Sequence, residues 1–275
     1  MNKYAFLVAS AVVCASMSVV ADDTVQGGNV FGILTVLSKS TDTIVAVPWC
    51  ECSTNENKSI AISNIVKTAN LSVGDELYAL NDSREKVNKW ELSEGEGGVK
   101  YWNGIRVVVQ SGSVEDPVPA EQSHAARGSA IILHRQNPTD GNGDAKPFYL
   151  YGQVGNTSTV TTQVIVSPSE GVPAYTLVSP PNDADVDIIA DNIVANPASG
   201  DSIVVRNLAG VSRTYTYNGT NWVYYKATKG EEGRITVAEL TADSITIKCG
   251  TGAWYVSRTA SDPAPSFNWQ NVPAK

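Results

Sequence analysis

The sequence predicts an all-β protein built as two tandem antiparallel β-sandwich or barrel-like modules, related by internal duplication and preceded by an N-terminal signal peptide. Three observations carry this expectation. Short stretches such as SIVVRN (202–207), TYTYNG (214–219), SITIKCG (244–250) and GAWYVSR (252–258) alternate apolar with polar residues, the period of a pleated strand. Turn residues interrupt these stretches about every ten residues, the rhythm of a sandwich or barrel. A long series of anchors also occurs twice, in the same order.

From the N-terminus, Lys3 precedes the apolar run AFLVASAVVCASMSVVA, followed by Asp22-Asp23. The run of about 17 residues is short for a membrane span, and Val19 and Ala21 are small residues at the positions a signal peptidase reads. Residues 1–21 are therefore expected to be removed, leaving no transmembrane segment. The product would be extracellular, on the outer cell surface or periplasmic. Cys14 would be lost with the peptide.

The repeat organises the remaining chain. NLSVGDELYALNDSREKVNKWELSEGEGGVKYWNG (70–104) matches NPASGDSIVVRNLAGVSRTYTYNGTNWVYYKATKG (196–230), and both contain a Gly-Asp pair, Gly74-Asp75 and Gly200-Asp201. Upstream, TIVAVPW (43–49) matches TLVSPP (176–181) and SNIVKTAN (63–70) matches DNIVANP (191–197). Downstream, ARGSAIILHR (126–135) matches KCGTGAWYVSR (248–258). The offsets of about 122 to 133 residues predict a duplication with drifted loops. Each copy reads as a series of strands with the Gly-Asp turn before an aromatic hairpin. Asn218-Gly219 predicts a type I′ turn in the second hairpin. The turn-rich QNPTDGNGDAKP (136–147) reads as a linker, giving module one at 22–136, a linker at 137–147 and module two at 148–275. The loop at 111–128 has no clear counterpart and reads as a surface elaboration.

Candidate sites are few. Asp140, Asn142 and Asp144 in DGNGD have the alternate spacing that opens a calcium loop, but Ala145 and Tyr151 stand where an EF-hand needs Gly and Glu. A solvated turn and a partial calcium site both remain open. Asp183, Asp185 and Asp187 alternate as an acidic strand face. After cleavage three cysteines remain, and in an oxidising compartment Cys249 is the disulfide candidate for Cys50 or Cys52. Trp102, Trp222, Tyr224 and Trp254 are candidate contacts for a partner or a sugar, with core packing as the competing role. A net charge of -8 argues against nucleic acid. The chain lacks a nucleophile elbow, a phosphate-cradling loop and an HExxH zinc motif, so no enzyme is expected.

The repeated T-[IL]-V-x-x-P strand, the Gly-Asp turn, the Trp/Tyr-rich hairpin and the closing G-[ST]-[AG]-x-x-[YL] strand resemble a paralogous family of exported β-rich proteins of unknown function, numerous in Verrucomicrobia and related bacteria. The resemblance implies export and a β-rich surface protein, and transfers no catalytic residue. The functional expectation is a non-enzymatic structural or cell-surface protein that self-associates or binds a partner. In its sharper form, residues 22–34 are donated to a neighbouring copy as a strand. The alternative is a pair of carbohydrate-binding modules using exposed Trp and Tyr.

Overall fold

The computed structural model describes residues 31–47, 59–80, 86–108, 114–126, 128–153, 163–165, 167–168, 172–181, 185–229 and 234–269. Cys50, Cys52, Asp183 and the N-terminal apolar run lie outside them. Among the described residues no helix is long and apolar enough to cross a membrane.

The protein is all-β, in several antiparallel sheets. The first half runs β1 (Phe31–Leu37), β2 (Asp42–Ala46), β3 (Ser59–Ala61), β4 (Val66–Lys67), β5 (Glu76–Leu80), β6 (Lys86–Glu94), β7 (Lys100–Ile105), β8 (Val107–Val108), β9 (Val114–Glu115), β10 (His124–Ala126), β11 (Ala130–His134) and β12 (Pro147–Gln153). The second runs β13 (Gln163–Val164), β14 (Ala174–Val178), β15 (Val186–Asp187), β16 (Val194–Ala195), β17 (Ser202–Arg206), β18 (Ser212–Tyr217), β19 (Trp222–Lys229), β20 (Ile235–Thr241), β21 (Thr246–Ile247), β22 (Ala253–Ser257) and β23 (Ser266–Phe267).

Apart from β8-β9 in the first half and β20 in the second, the strand orders of the two halves correspond place by place. Sheets β1-β12-β4, β3-β10 and β2-β11-β5-β6-β7 are matched by β13-β23-β16, β15-β21 and β14-β22-β17-β18-β19, with β20 added at the outer edge of the last. Alternating apolar side chains put one face of each larger sheet inward. The first core gathers Leu34, Val66, Leu77, Trp90, Leu133 and Phe148; the second gathers Ile188, Ile203, Tyr215, Ile247, Tyr255 and Phe267.

The Gly-Asp turn is the clearest local correspondence. Asp75 is 2 % exposed and Asp201 is fully buried. Asp75 accepts the amides of Ser72 and Gln136, each at 2.9 Å, while Asp201 accepts those of Ala198 at 3.0 Å and Arg258 at 2.9 Å. In each half the carboxylate ties its own turn to the end of the closing strand, β11 or β22. Gly74 and Gly200, at φ +89 and +97, supply the left-handed backbone such a turn needs, and donate to Leu92 O and Tyr217 O. In the second half Tyr255 adds its hydroxyl to Asp201 at 2.7 Å. Burial, then that carboxylate, raises the Tyr255 pKa well above the ordinary tyrosine range.

Two expectations are corrected by the pairing. Strand β12 pairs along its whole length with β1 and then with β4, so residues 137–147 join two strands of the first half rather than two modules. The passage to the second half falls after Gln153. Buried Arg135 anchors this connection, donating to Lys146 O at 2.8 Å and to Ser38 O, with its guanidinium over the Phe148 ring. The hairpin turn is also shifted. Asn218 N donates to Asn221 O, and of the two residues enclosed only Gly219 has a positive φ, as in a II′ rather than a I′ turn. The Asn218 side chain supplies the difference, accepting the amides of Thr220 and Asn221.

The halves join at equivalent places. Ala46 N donates to Gly250 O and Gly252 N to Ile44 O, each at 3.1 Å, and Ser179 N donates to Gly128 O at 3.0 Å. Ile44, Ala130, Leu177, Ile132 and Trp254 form an apolar cluster between them. A Cβ on Gly252 would lie 2.6 Å from Val178 O and 3.1 Å from the Ala130 Cβ. By strand register Ala130 and Gly252 hold the same position, as do Ile132 and Trp254. Like therefore meets like across the seam, the pattern of a two-fold contact.

Candidate functional site

The same local geometry makes a recess in each half. The second strand of each hairpin carries a tryptophan at the equivalent register position, Trp102 opposite Leu92 and Trp222 opposite Tyr217. Beside it lies the Asn-Ile-Val segment that ends in Val66 or Val194. The first recess, of about 210 Å³, is lined by Lys67, Lys100, Tyr101, Trp102 and Glu121 among others. Its polar groups are largely engaged: the Trp102 indole donates to Val66 O at 3.4 Å, Lys100 donates to Leu71 O at 2.6 Å, and the Lys67 ammonium sits 3.9 Å from the Tyr151 ring centroid. The second, of about 300 Å³, carries no charged lining side chain and exposes Asn192, Tyr217, Thr220, Asn221 and Trp222. Trp222 is 8 % exposed, tilted on Tyr217 at 5.4 Å and edge-on to Tyr255 at 6.5 Å.

The second feature is an open edge. Strand β18 pairs with β19 only at Val223 and Trp222, while β19 and β20 stay paired from Val223–Thr241 out to Lys229–Ile235. The hairpin thus leaves the sheet as a two-stranded ribbon. Tyr225, Ala227, Val237 and Ile235 share one face by register, and Tyr225, Val237 and Ile235 are 61 %, 63 % and 70 % exposed. Among the described residues no strand pairs with the outer side of β20. Lys229 and Glu239 lie on the same face, opposite Ile235 and Tyr225, and the Tyr225 hydroxyl donates to Glu239 at 2.9 Å. In the first half the chain after β7 instead folds back. A Cβ on Gly104 would lie 2.6 Å from Val118 O, and the Trp90 indole donates to that same carbonyl at 2.8 Å.

The four aromatics expected as contacts are mostly inward. Trp102, 3 % exposed, and Trp222 belong to the two cores. Tyr224 is half-buried, edge-on to Tyr215 at 5.9 Å under the Arg213 guanidinium. Trp254 packs in the seam between the halves, T-shaped on Tyr175. Period-two alternation directs Trp222 and Tyr224 to the core face and leaves Tyr225 outside. Val237 and Ile235 were missed because ITVAELT alternates as any half-buried strand does. That no sheet lies under it is decided by the length of β18, which sequence does not encode locally.

The acidic candidates are occupied as turn and strand-end acceptors. Asp140 Oδ1 accepts the amides of Asn142 and Asp144, each at 2.9 Å, and Asp140 N donates to Asp144 O. Those amides hold its carboxyl below the usual range. Among the described residues no group of three His, Cys, Asp or Glu side chains is placed to hold a metal ion. Asp185 pairs with Lys248 at 2.7 Å and accepts the Cys249 amide at 2.8 Å. Asp187 accepts the Ser244 hydroxyl and the amides of Ile189, Ala190 and Ile245. Cys249 is buried against the first half's core. Its neighbour Gly250 accepts the Ala46 amide of β2. Compared with protein families, with characterised proteins and with solved structures, the chain matches none.

Proposed function

We propose that this is an exported, non-enzymatic structural protein of the cell surface or extracellular space, whose copies join by strand addition at β20. The observation that carries this reading is the ribbon, whose seven-residue outer strand is paired on that side by no described strand and bears the exposed Ile235 and Val237. Natural edge strands are commonly blunted by proline, a bulge or inward charge, and ITVAELT has no proline. A two-stranded ribbon gains little stability alone, and a third and fourth strand would satisfy the open backbone edge of β20 and widen the sheet that carries its apolar stripe. A second copy fits as the occupant. Antiparallel pairing of β20 with itself about Ala238 sets Glu239 against Val237, Thr236 against Leu240 and Ile235 against Thr241, with no like charges opposed.

This places the joint away from the N-terminal segment first expected to be donated, since Phe31–Leu37 already pairs with Pro147–Gln153 of its own chain. A tandem duplication accounts for the matching strand orders, with β20 as the element that one copy alone acquired. Light scattering and negative-stain microscopy of the protein purified after export test the reading. Regular oligomers or filaments are expected, and Val237→Lys with Ile235→Lys should give folded monomers of unchanged Tm. Wild-type protein that stays monomeric at every concentration would refute it, as would assemblies indifferent to both lysines.

A further inference from the structure

The two recesses occupy the same place in the fold, yet their polar groups differ in a way that points to a ligand. In the first half the Trp102 indole N–H is spent on Val66 O. In the second, the Trp222 indole N–H and the Tyr217 hydroxyl donate to no described residue. Trp222 is more than nine-tenths buried as a residue, yet its indole nitrogen is not among the enclosed donors left without a partner, so the N–H opens on the recess, where water or a ligand oxygen can accept it. The rest of the lining is apolar at the floor, with Ile188, Val194 and Ala242, and amide or hydroxyl at the rim, with Asn192, Thr220 and Asn221.

We propose that the Trp222 recess binds one neutral sugar ring, and that its counterpart beside Trp102 does not. A pyranose has the matching chemistry. Its axial C–H groups form an apolar face that packs on Tyr and Trp rings, while its ring-edge oxygens accept from the indole N–H and exchange hydrogen bonds with amides and hydroxyls. The absence of charged lining side chains favours a neutral sugar over a uronic or sialic acid. A volume of about 300 Å³ lies at the small end of ligand pockets, which suits one ring at a chain end rather than a long groove. The first recess is smaller, lined by Lys67, Lys100 and Glu121, and its indole is already paired.

The inference is independent of assembly at β20, because the recess lies at the root of the ribbon rather than along its free edge. It is tested on the full protein carrying Ile235→Lys and Val237→Lys, at a concentration where light scattering gives a monomer, by following the indole N–H signals in ¹H–¹⁵N spectra. Methyl glucoside, N-acetylglucosamine, galactose and mannose serve as probes. The Trp222 signal, assigned with Trp222→Phe, is expected to shift saturably at roughly millimolar sugar, the affinity of a single small contact. The Trp102 signal should stay in place. Asn221 is exposed, so Asn221→Ala should keep the fold and weaken binding at least about five-fold. The proposal is overturned if none of the four sugars moves the Trp222 signal, if Trp102 moves equally, or if Asn221→Ala binds as tightly as the parent.

Discussion

In the first half the chain after β7 returns to lay Val118 against Gly104 of the sheet; in the second it continues into the β19–β20 ribbon and exposes Tyr225, Val237 and Ile235. Deeper in, the same two halves repeat a buried aspartate, its pair of backbone amides and the strand order around it. The halves thus differ at the rim and share the same constraint at the carboxylate. The constraint has a physical source. A buried charge is tolerated only with its hydrogen bonds complete, whereas an outer edge can be folded over or extended without disturbing the core.

The strongest way to test that contrast is to remove the aspartates. Asp201→Ala strands three donors, the amides of Ala198 and Arg258 and the Tyr255 hydroxyl, and should cost about 4 kcal/mol, a fall in Tm of roughly 10 °C. Asp75→Ala strands two and should cost about 3 kcal/mol. Thermal unfolding followed by circular dichroism checks both; equal and small losses would show that the carboxylates are dispensable.

The seam offers a finer comparison, because Gly252 and Ala130 are equivalent yet differ in size. Gly252→Ala forces a methyl to 2.6 Å from Val178 O and should cost about 2 kcal/mol, while Ala130→Gly should cost about 1 kcal/mol. Chemical denaturation of the two variants would order them the other way if the seam were loose.

Acid separates the halves further. Burial pushes the Asp187 carboxyl up, but the Ser244 hydroxyl and the amides of Ala190, Ile189 and Ile245 outweigh it and hold it below its ordinary value. A carboxyl depressed on folding stabilises the protein above its unfolded pKa, about 3.9, and loses that contribution as pH falls through the lower folded value. Asp187→Asn should therefore be less stable than wild type at neutral pH, with the gap closing as pH falls through the lowered folded value. A gap that stays constant from neutral to acid would contradict this. The smallest effect is expected at the DGNGD turn. Asp140 Oδ1 already closes the turn through two amides, so calcium and a chelator should give the same Tm. A calcium-dependent rise abolished by Asp140→Ala would instead make the turn a metal site.

Much of the fold was legible because strand alternation and the repeated Gly-Asp pair are local signals. The boundary at 136–147 was misplaced since a Gly- and Asp-rich turn looks the same whether it joins two strands or two modules, and only the pairing of β12 with β1 distinguishes them. The site was less legible. Trp102 and Trp222 are identical as letters, and what separates them is whether Val66 O lies within reach of the indole. Exposure of Ile235 and Val237 depends on β18 stopping short, a property of the whole sheet rather than of ITVAELT.

The pairing of β1 with β12 also fixes how the first half would carry load. Phe31 lies opposite Gln153 and Leu37 opposite Pro147, so the incoming chain and the outgoing chain leave the same end of the ladder. Tension between an N-terminal attachment and the second half would open those hydrogen bonds singly, as a zipper parts, instead of shearing them together. A protein pulled in that direction yields at low force, lengthens by releasing β1, and leaves the aspartate-tied sheet behind it intact.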